Sequence, residues 1–403
     1  MKLDPSFREY VFNTRDLVIG ETNKVSFHTL GQNSTQAWQL WNMMLDTIPP
    51  DNMIKNPYPV QGVYLLETQK NRNQGRPYLT QGLTQWDAGW YQSIAESGYD
   101  FDGNYHRQQN IGLLFFYPLS AKLIHSLTGV SYSLSLIWAS HLFLLIGLFF
   151  IYEIARKCLK NDTLAYLPVL LLLIHPFQVF LSAGYSESMF ICFSAAALYL
   201  LLEKRYFWAA VIGGAACGIR AVGVVFPILL IANFYLTNKS NITIKSISSL
   251  CVGCIVSLWG ILFNMVYMYF HFQDPFVYFK IQKAWVYKET LGLDTLGDHF
   301  LSLLTKPPYL LNPELMGFLL IISIFLYSLY KLIQHWKANN STEILLALYS
   351  VAVLFIPLYD RFLYAYPQGR FSLVAFPVWI LLCRKMSLTK AVILSGLAVL
   401  FIF

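Results

Sequence analysis

From residue 111 onward the chain alternates apolar runs with short basic stretches, whereas residues 1 to 84 hold no apolar run of spanning length. The apolar segments lie near 111–128, 132–155, 163–182, 186–202, 206–236, 247–270, 316–335, 343–358, 371–383 and 388–403. A helix needs about 20 such residues to cross a bilayer, so the pattern predicts an all-α polytopic membrane protein with about 8–10 membrane segments. The first segment carries Pro118 and Lys122 among its phenylalanines and suits the membrane interface as well as a crossing.

The pattern divides the chain into a polar region, 1–84, and a transmembrane domain, 85–403. In the polar region Ala37, Leu40, Trp41, Met44, Leu45 and Ile48 recur at helical spacing, between Ser34 or Thr35 as cap and Pro49-Pro50 as stop. An amphipathic helix is predicted, lying on the bilayer or packed against the rest of the protein.

Basic residues fix the orientation. Arg156, Lys157 and Lys160, Lys204 and Arg205, Lys239 and Lys245, Lys331 and Lys337, and Arg384, Lys385 and Lys390 flank apolar segments, as cytoplasmic loops do. All can lie on one side if 206–236 enters and leaves on the same face, turning near Gly218-Ile219-Arg220; one long tilted helix would reverse everything after it. The outer face then holds the loop 81–110, the turn 183–188 and the loops 271–315 and 359–370.

Composition agrees: of 403 residues 56% are hydrophobic and only 13% charged, below the about 25% of soluble domains. The net charge of +7 is scattered between spans, so no nucleic acid partner is expected. The six cysteines lie in or beside apolar segments, which argues against a disulfide scaffold. Cys251 and Cys254 form a CxxC with no second pair, and are expected to be small packing residues rather than metal ligands.

Candidate chemistry gathers in the outer loops. Asp87, flanked by Trp86 and Trp90 and followed by Tyr91, combines a carboxylate that can act as a base with aromatic faces that stack on sugars. It is equally consistent with a helix cap inside an interfacial aromatic belt. Glu187, after Tyr185-Ser186, suits a Ser-capped helix start with the acid favoured by the dipole. Arg220 stands in an apolar stretch where its charge requires a partner or an anionic ligand. Gly214 and Gly218 nearby point to close helix packing rather than phosphate cradling. Asp274-Pro275 reads as cap and first residue of an interfacial helix whose Lys280 and Lys283 meet headgroups or a substrate phosphate. Arg361 and Arg370 can each fork onto a phosphate; Asp360 adjoins Arg361, but no acid adjoins Arg370 in sequence.

The stretches WDAGWYQSIAESGY, FFYPLSAKLI, HPFQVFLSAGYSES, GIRAVG, QDPFVYF and GRFSLVAFPVWI, in this order, resemble the PIG-V family of mannosyltransferases over roughly residues 84–383. The resemblance implies a GT-C glycosyltransferase: a membrane bundle that moves a sugar from a polyprenyl or dolichyl phosphate to a lipid or glycan acceptor on the non-cytoplasmic face. Eukaryotic members add the second mannose to glycosylphosphatidylinositol. Asp87 then corresponds to the acid of the Trp-Asp motif and is the expected base. Glu187 corresponds to the acid of the Tyr-Ser-Glu-Ser turn, Arg220 to the intramembrane arginine and Arg370 to the arginine of the C-terminal motif. Such enzymes have a spanning helix before the Trp-Asp loop, where this chain has its polar region.

The expectation is an inverting mannosyltransferase with Asp87 as base. Trp86, Tyr91 and Glu187 bind substrate, and Arg370, Arg220 and Lys283 in that order stabilise the leaving phosphate. Neither cofactor nor metal is expected, and the bacterial plasma membrane is preferred over the endoplasmic reticulum. A transporter or lipid flippase, or a non-catalytic membrane subunit, are the rival readings.

Overall fold

The computed structural model describes residues 78–237, 242–285, 313–359 and 368–384. Two units are distinguished, Met1–Pro77 and Tyr78–Phe403, and the described residues belong to the second. The helix expected over 37–48, the Asp360-Arg361 pair and the segment 388–403 lie outside them.

All regular structure among the described residues is helical. The order is α1 Tyr78–Leu83, α2 Asp87–Ser97, a 3-10 turn Asn110–Gly112, α3 Phe116–Thr128, α4 Tyr132–Leu159, α5 Asp162–Leu173, α6 Val179–Ser182 and α7 Glu187–Leu202. Then come α8 Tyr206–Ile219, a 3-10 turn Ala221–Val224, α9 Val225–Thr237, α10 Ile244–Val256, α11 Trp259–Phe272, α12 Val277–Ile281 and a 3-10 turn Gln282–Trp285. The last elements are α13 Pro313–Lys337, α14 Ser341–Tyr359, a 3-10 helix Gln368–Ala375 and α15 Pro377–Cys383.

Among the described residues three helices are long and apolar enough to cross a membrane: Tyr132–Leu159, Met316–Lys337 and Ser341–Leu358. Ile244–Val256 and Trp259–Phe272 pass the same test jointly, bent by 51° where the Ser257 hydroxyl donates to the Cys254 carbonyl. The remaining apolar helices are shorter, so the expected 8–10 segments are not all single crossings. The segment 163–182 breaks at His175-Pro176, because proline cannot donate to the helical ladder. Helix α3, with 13 residues, is too short to cross; it buries Tyr117, Pro118 and Ala121 and exposes Leu119, Leu123 and Leu127. That is the interfacial alternative. Leu142, Leu145 and Phe149 on α4 also face outward, as lipid-facing side chains do.

The segment 206–236 folds back as a hairpin. Gly223 lies against Cys217, and Gly213 against Phe226, two contacts arranged symmetrically about Arg220, which is extended at φ −144°. Gly214 and Gly218 serve helix packing as expected. A Cβ on Gly260 of α11 would run into the backbone of both, and Trp259 Nε1 donates to the Val211 carbonyl at 2.8 Å.

The core is built by α4 against α7 and α7 against α8, with α13 and α14 packed together and against the 3-10 helix Gln368–Ala375. Gly147 of α4 lets the Cys192 backbone of α7 approach within van der Waals reach. Of the CxxC pair, Cys254 packs against the core as expected, but Cys251 is exposed because α10 buries none of its residues.

Candidate active site

The first acid sits at a corner. Trp86 has φ 50° and ψ −116°, backbone values that L side chains rarely adopt, and its indole is 57% exposed. The chain turns there into α2, whose first residue is Asp87. No side chain caps this helix, so Asp87 is not the cap that its position allowed. Its carboxylate reaches Arg370 instead.

A second turn is fastened against this corner. The Gly184 N–H donates to the Leu83 carbonyl at 2.8 Å, and the Tyr185 hydroxyl to the Gln85 carbonyl at 3.1 Å. Ser140 of α4 donates to the Ala183 carbonyl at 2.6 Å, and its oxygen is 2.7 Å from the buried Tyr117 hydroxyl. A Cβ on Gly184 would meet Ala88 and Leu136 at 3.2 Å, so the approach leaves little spare room. These bonds carry Glu187, the first residue of α7, to the Asp87 corner.

Four charges alternate here. Asp87 Oδ2 lies 2.7 Å from Arg370, Arg370 Nε lies 3.6 Å from Glu187 Oε1, and the same Glu187 oxygen lies 2.8 Å from Arg220. Glu187 is 1% exposed and Asp87 23%, so one acid is a buried anchor and the other is open to a ligand. Ser186 makes no helix cap, which corrects the reading of Glu187 as a Ser-capped start. Its hydroxyl instead receives Tyr91 at 2.9 Å and Arg220 at 3.1 Å. Arg370 is also enclosed by the rings of Tyr185, Phe371 and Phe180, at 5.3, 5.3 and 5.8 Å.

One expected substrate contact is corrected, and another stands outside the network of four charges. Tyr91 does not offer a face for a sugar: it is buried, its ring stands edge-on to Tyr117 at 5.0 Å, and its hydroxyl is spent on Ser186. Burial pushes its phenol up to about 12, so it donates a hydrogen bond and does not act as a base near neutrality. Lys283 is exposed on the turn Gln282–Trp285, and among the described residues no ion pair brings it to the four charges. The preceding helix begins at Val277 rather than at Pro275. Asp274 accepts from the Phe276 N–H at 3.0 Å, from Tyr105 at 2.8 Å and from Lys280 at 2.8 Å, so the exposed Lys280 is paired with Asp274.

The sequence offered no signal for the Ser140 and Tyr117 latch, and it named Asp87, Glu187 and Arg370 without pairing the acids with the arginine. Among the described residues no group of three His, Cys, Asp or Glu side chains stands at metal-binding distance.

Residues 68–289 match the profile of the family described as Mannosyltransferase (PIG-V), more than half of the 403-residue chain. The chain belongs to this family. The match includes Asp87, Glu187 and Arg220. Among the PIG-V relatives, GPI alpha-1,6-mannosyltransferase 2 of Rattus norvegicus is 26% identical over 211 residues, covering 49% of this chain and 42% of that protein. GPI mannosyltransferase 2 of Yarrowia lipolytica is 24% identical over 174 residues, covering 43% and 46%. The matched segments thus span under half of these curated relatives. ArnT from Cupriavidus metallidurans, bound to undecaprenyl phosphate, has the same fold, with a TM-score of 0.53 at 17% identity over 79% of this chain and 59% of that one. The GT-C-type membrane bundle expected for a PIG-V member is therefore the fold of this chain.

Proposed function

We propose that this PIG-V member transfers mannose from a polyprenyl-phosphate or dolichyl-phosphate donor to a hydroxyl of a lipid or glycan acceptor on the non-cytoplasmic face, with inversion at the anomeric carbon. The observation that carries the proposal is the Asp87–Arg370 pair at 2.7 Å beside the Glu187–Arg220 pair at 2.8 Å. One partly open carboxylate thus adjoins Arg370, which a buried acid holds together with Arg220.

The chemistry follows from the charges. The donor phosphodiester carries one negative charge and the departing lipid phosphate gains a second. In the structure Arg370 rests on Asp87. An arriving phosphate offers that guanidinium a second anion, and Asp87 is released toward the acceptor hydroxyl. Asp87 then takes the hydroxyl proton as the oxygen bonds to the anomeric carbon. The bond from that carbon to the phosphate oxygen breaks, and its electron pair stays on the phosphate. Arg370, with Arg220 behind it, meets the charge that develops; a preorganised donor of this kind is worth about 3–4 kcal/mol in a transition state. Glu187 is too enclosed to reach an acceptor and acts by fixing both arginines. Exposed Trp86 supplies the aromatic face beside the base.

The lipid phosphate seen with ArnT is of the class proposed here. In this reading the arginines supply the cationic charge and no cofactor takes part. For location we favour the bacterial plasma membrane over the endoplasmic reticulum, to be checked by fractionating the source cells. The deciding experiment incubates the purified chain in liposomes with radiolabelled polyprenyl-phosphate-mannose and host lipids. Label is expected to pass to an acceptor. Unconsumed donor under all lipid conditions would instead indicate a non-catalytic membrane subunit.

A further inference from the structure

Helix α5 ends at Leu173, just before His175-Pro176, and the His175 side chain is not solvent-facing: it is 2% exposed. Its Nδ1 lies 3.1 Å from the Phe177 backbone nitrogen, which can only donate, so Nδ1 is the unprotonated acceptor. Its Nε2 lies 3.0 Å from Ser372 Oγ, and Ser372 in turn donates to the Gly369 carbonyl at 2.5 Å. A hydroxyl has one proton, and Ser372 spends it on Gly369, so at its other side it must accept. Both ends therefore require the same tautomer, with the proton on Nε2. The ring is also flanked by Phe177 and Trp379, at 6.0 and 5.9 Å.

The far end of this chain of bonds grips the residues on either side of Arg370. Gly369 is pressed onto the Phe177 ring so closely that a Cβ there would overlap it, and its nitrogen lies 2.8 Å from where a Cβ on Gly317 would stand. The turn 175–177 thus holds Gly369 by packing and Ser372 by a hydrogen bond, with Arg370 between them. That matters because 3-10 backbone is held by poorer hydrogen bonds than an α-helix, and a displacement of about 1 Å at a reacting group can lower rate about a hundredfold. We infer that His175 is a positioning residue for Arg370: its Nε2–H, through Ser372, fixes the 3-10 helix that presents the guanidinium to the donor phosphate. The inference rests on reading Arg370 as the phosphate-binding arginine.

The test compares His175→Asn, His175→Gln, Ser372→Ala and the double variant His175→Asn/Ser372→Ala in liposomes. Asparagine can still accept from the Phe177 N–H, as in an Asx turn, but is too short to reach Ser372. Glutamine can place an amide N–H where Nε2 stood. His175→Asn and Ser372→Ala should each weaken polyprenyl-phosphate binding and raise donor KM about tenfold, the worth of one buried hydrogen bond, with acceptor KM unchanged. The double variant should be no worse than either single one, and His175→Gln should recover most of the loss. The nitrogen-15 spectrum of histidine-labelled protein should show Nε2 protonated and Nδ1 bare. Wild-type donor affinity in His175→Asn, additive losses, equal losses for donor and acceptor, or the opposite tautomer each overturn the inference. If the unaltered protein binds no polyprenyl phosphate, the reading of Arg370 fails as well; if it binds and His175→Asn binds equally, only the role of His175 is lost.

Discussion

Asp87 and Arg370, which begin α2 and occupy the C-terminal 3-10 helix, meet at 2.7 Å. Neither has an oppositely charged neighbour in sequence, so the pair exists only because the fold brings the two ends of the described bundle together. An arginine shared with an accessible carboxylate can be passed to an incoming phosphate without ever being left uncompensated. A base and an anion binder can thus coexist at this spacing.

The first expected outcome concerns the base. Asp87→Asn preserves shape and hydrogen-bonding capacity but removes the proton acceptor, and should lower transfer about a hundredfold to ten-thousandfold while the protein still elutes as a folded species in detergent. Turnover near the unaltered rate would remove Asp87 from the mechanism.

Glu187 should behave differently, because it is an anchor. At 1% exposure it compensates Arg220 and Arg370 together. Glu187→Gln leaves both with less compensation and should destabilise the protein by on the order of 3 kcal/mol, read from detergent unfolding. Adding Arg220→Met should recover part of that loss, since the orphaned charge goes with it. A Glu187→Gln protein of unchanged stability would contradict the anchor role.

Gly369→Ala tests the close contact beneath Arg370. Its Cβ would overlap the Phe177 ring, so a loss of about 1–3 kcal/mol is expected, partly reversed by the smaller Phe177→Leu. Independent, additive effects of the two substitutions would show that the contact is not the cause.

The outer-loop pair gives a pH dependence. Burial alone would raise the Asp274 carboxyl, but the Lys280 ammonium, the Tyr105 hydroxyl and the Phe276 N–H together hold it below its usual range. The folded state therefore binds that proton more weakly than the unfolded chain, where the group titrates near about 3.9. Its stabilisation is complete above that pH and is lost as pH falls through the folded value. Hydrogen exchange of the α12 amides should accelerate in that window in the unaltered protein, and show no such step in Asp274→Asn.

Metal independence is the remaining expectation. If Arg370 and Arg220 carry the leaving-group charge, transfer should survive dialysis against EDTA. Activity that is lost on chelation and restored by a divalent ion would show that the arginines do not suffice.

How the site could be read from sequence depended on the range of each interaction. Arg220 announced itself, because a lone cation in an apolar stretch demands a partner, and Gly214 and Gly218 announced a close helix contact. Their identities as partners of Glu187 and Gly260 were not visible. Tyr91 misled, since an aromatic residue beside an acid looks the same whether its ring faces a ligand or packs on Tyr117.

The apolar periodicity and the basic flanks determined the all-α membrane character and allowed a break at Arg220, because burial in lipid and glycine geometry act within a few residues; the structure decided for the break over one long tilted helix. The motif order indicated the family. What only the tertiary structure decided was which charges meet. Asp87, Glu187, Arg220 and Arg370 become one network through the Ser140 latch, the Gly184 contact and the cradle at His175. These are interactions between residues far apart in the chain, and no local pattern encodes them.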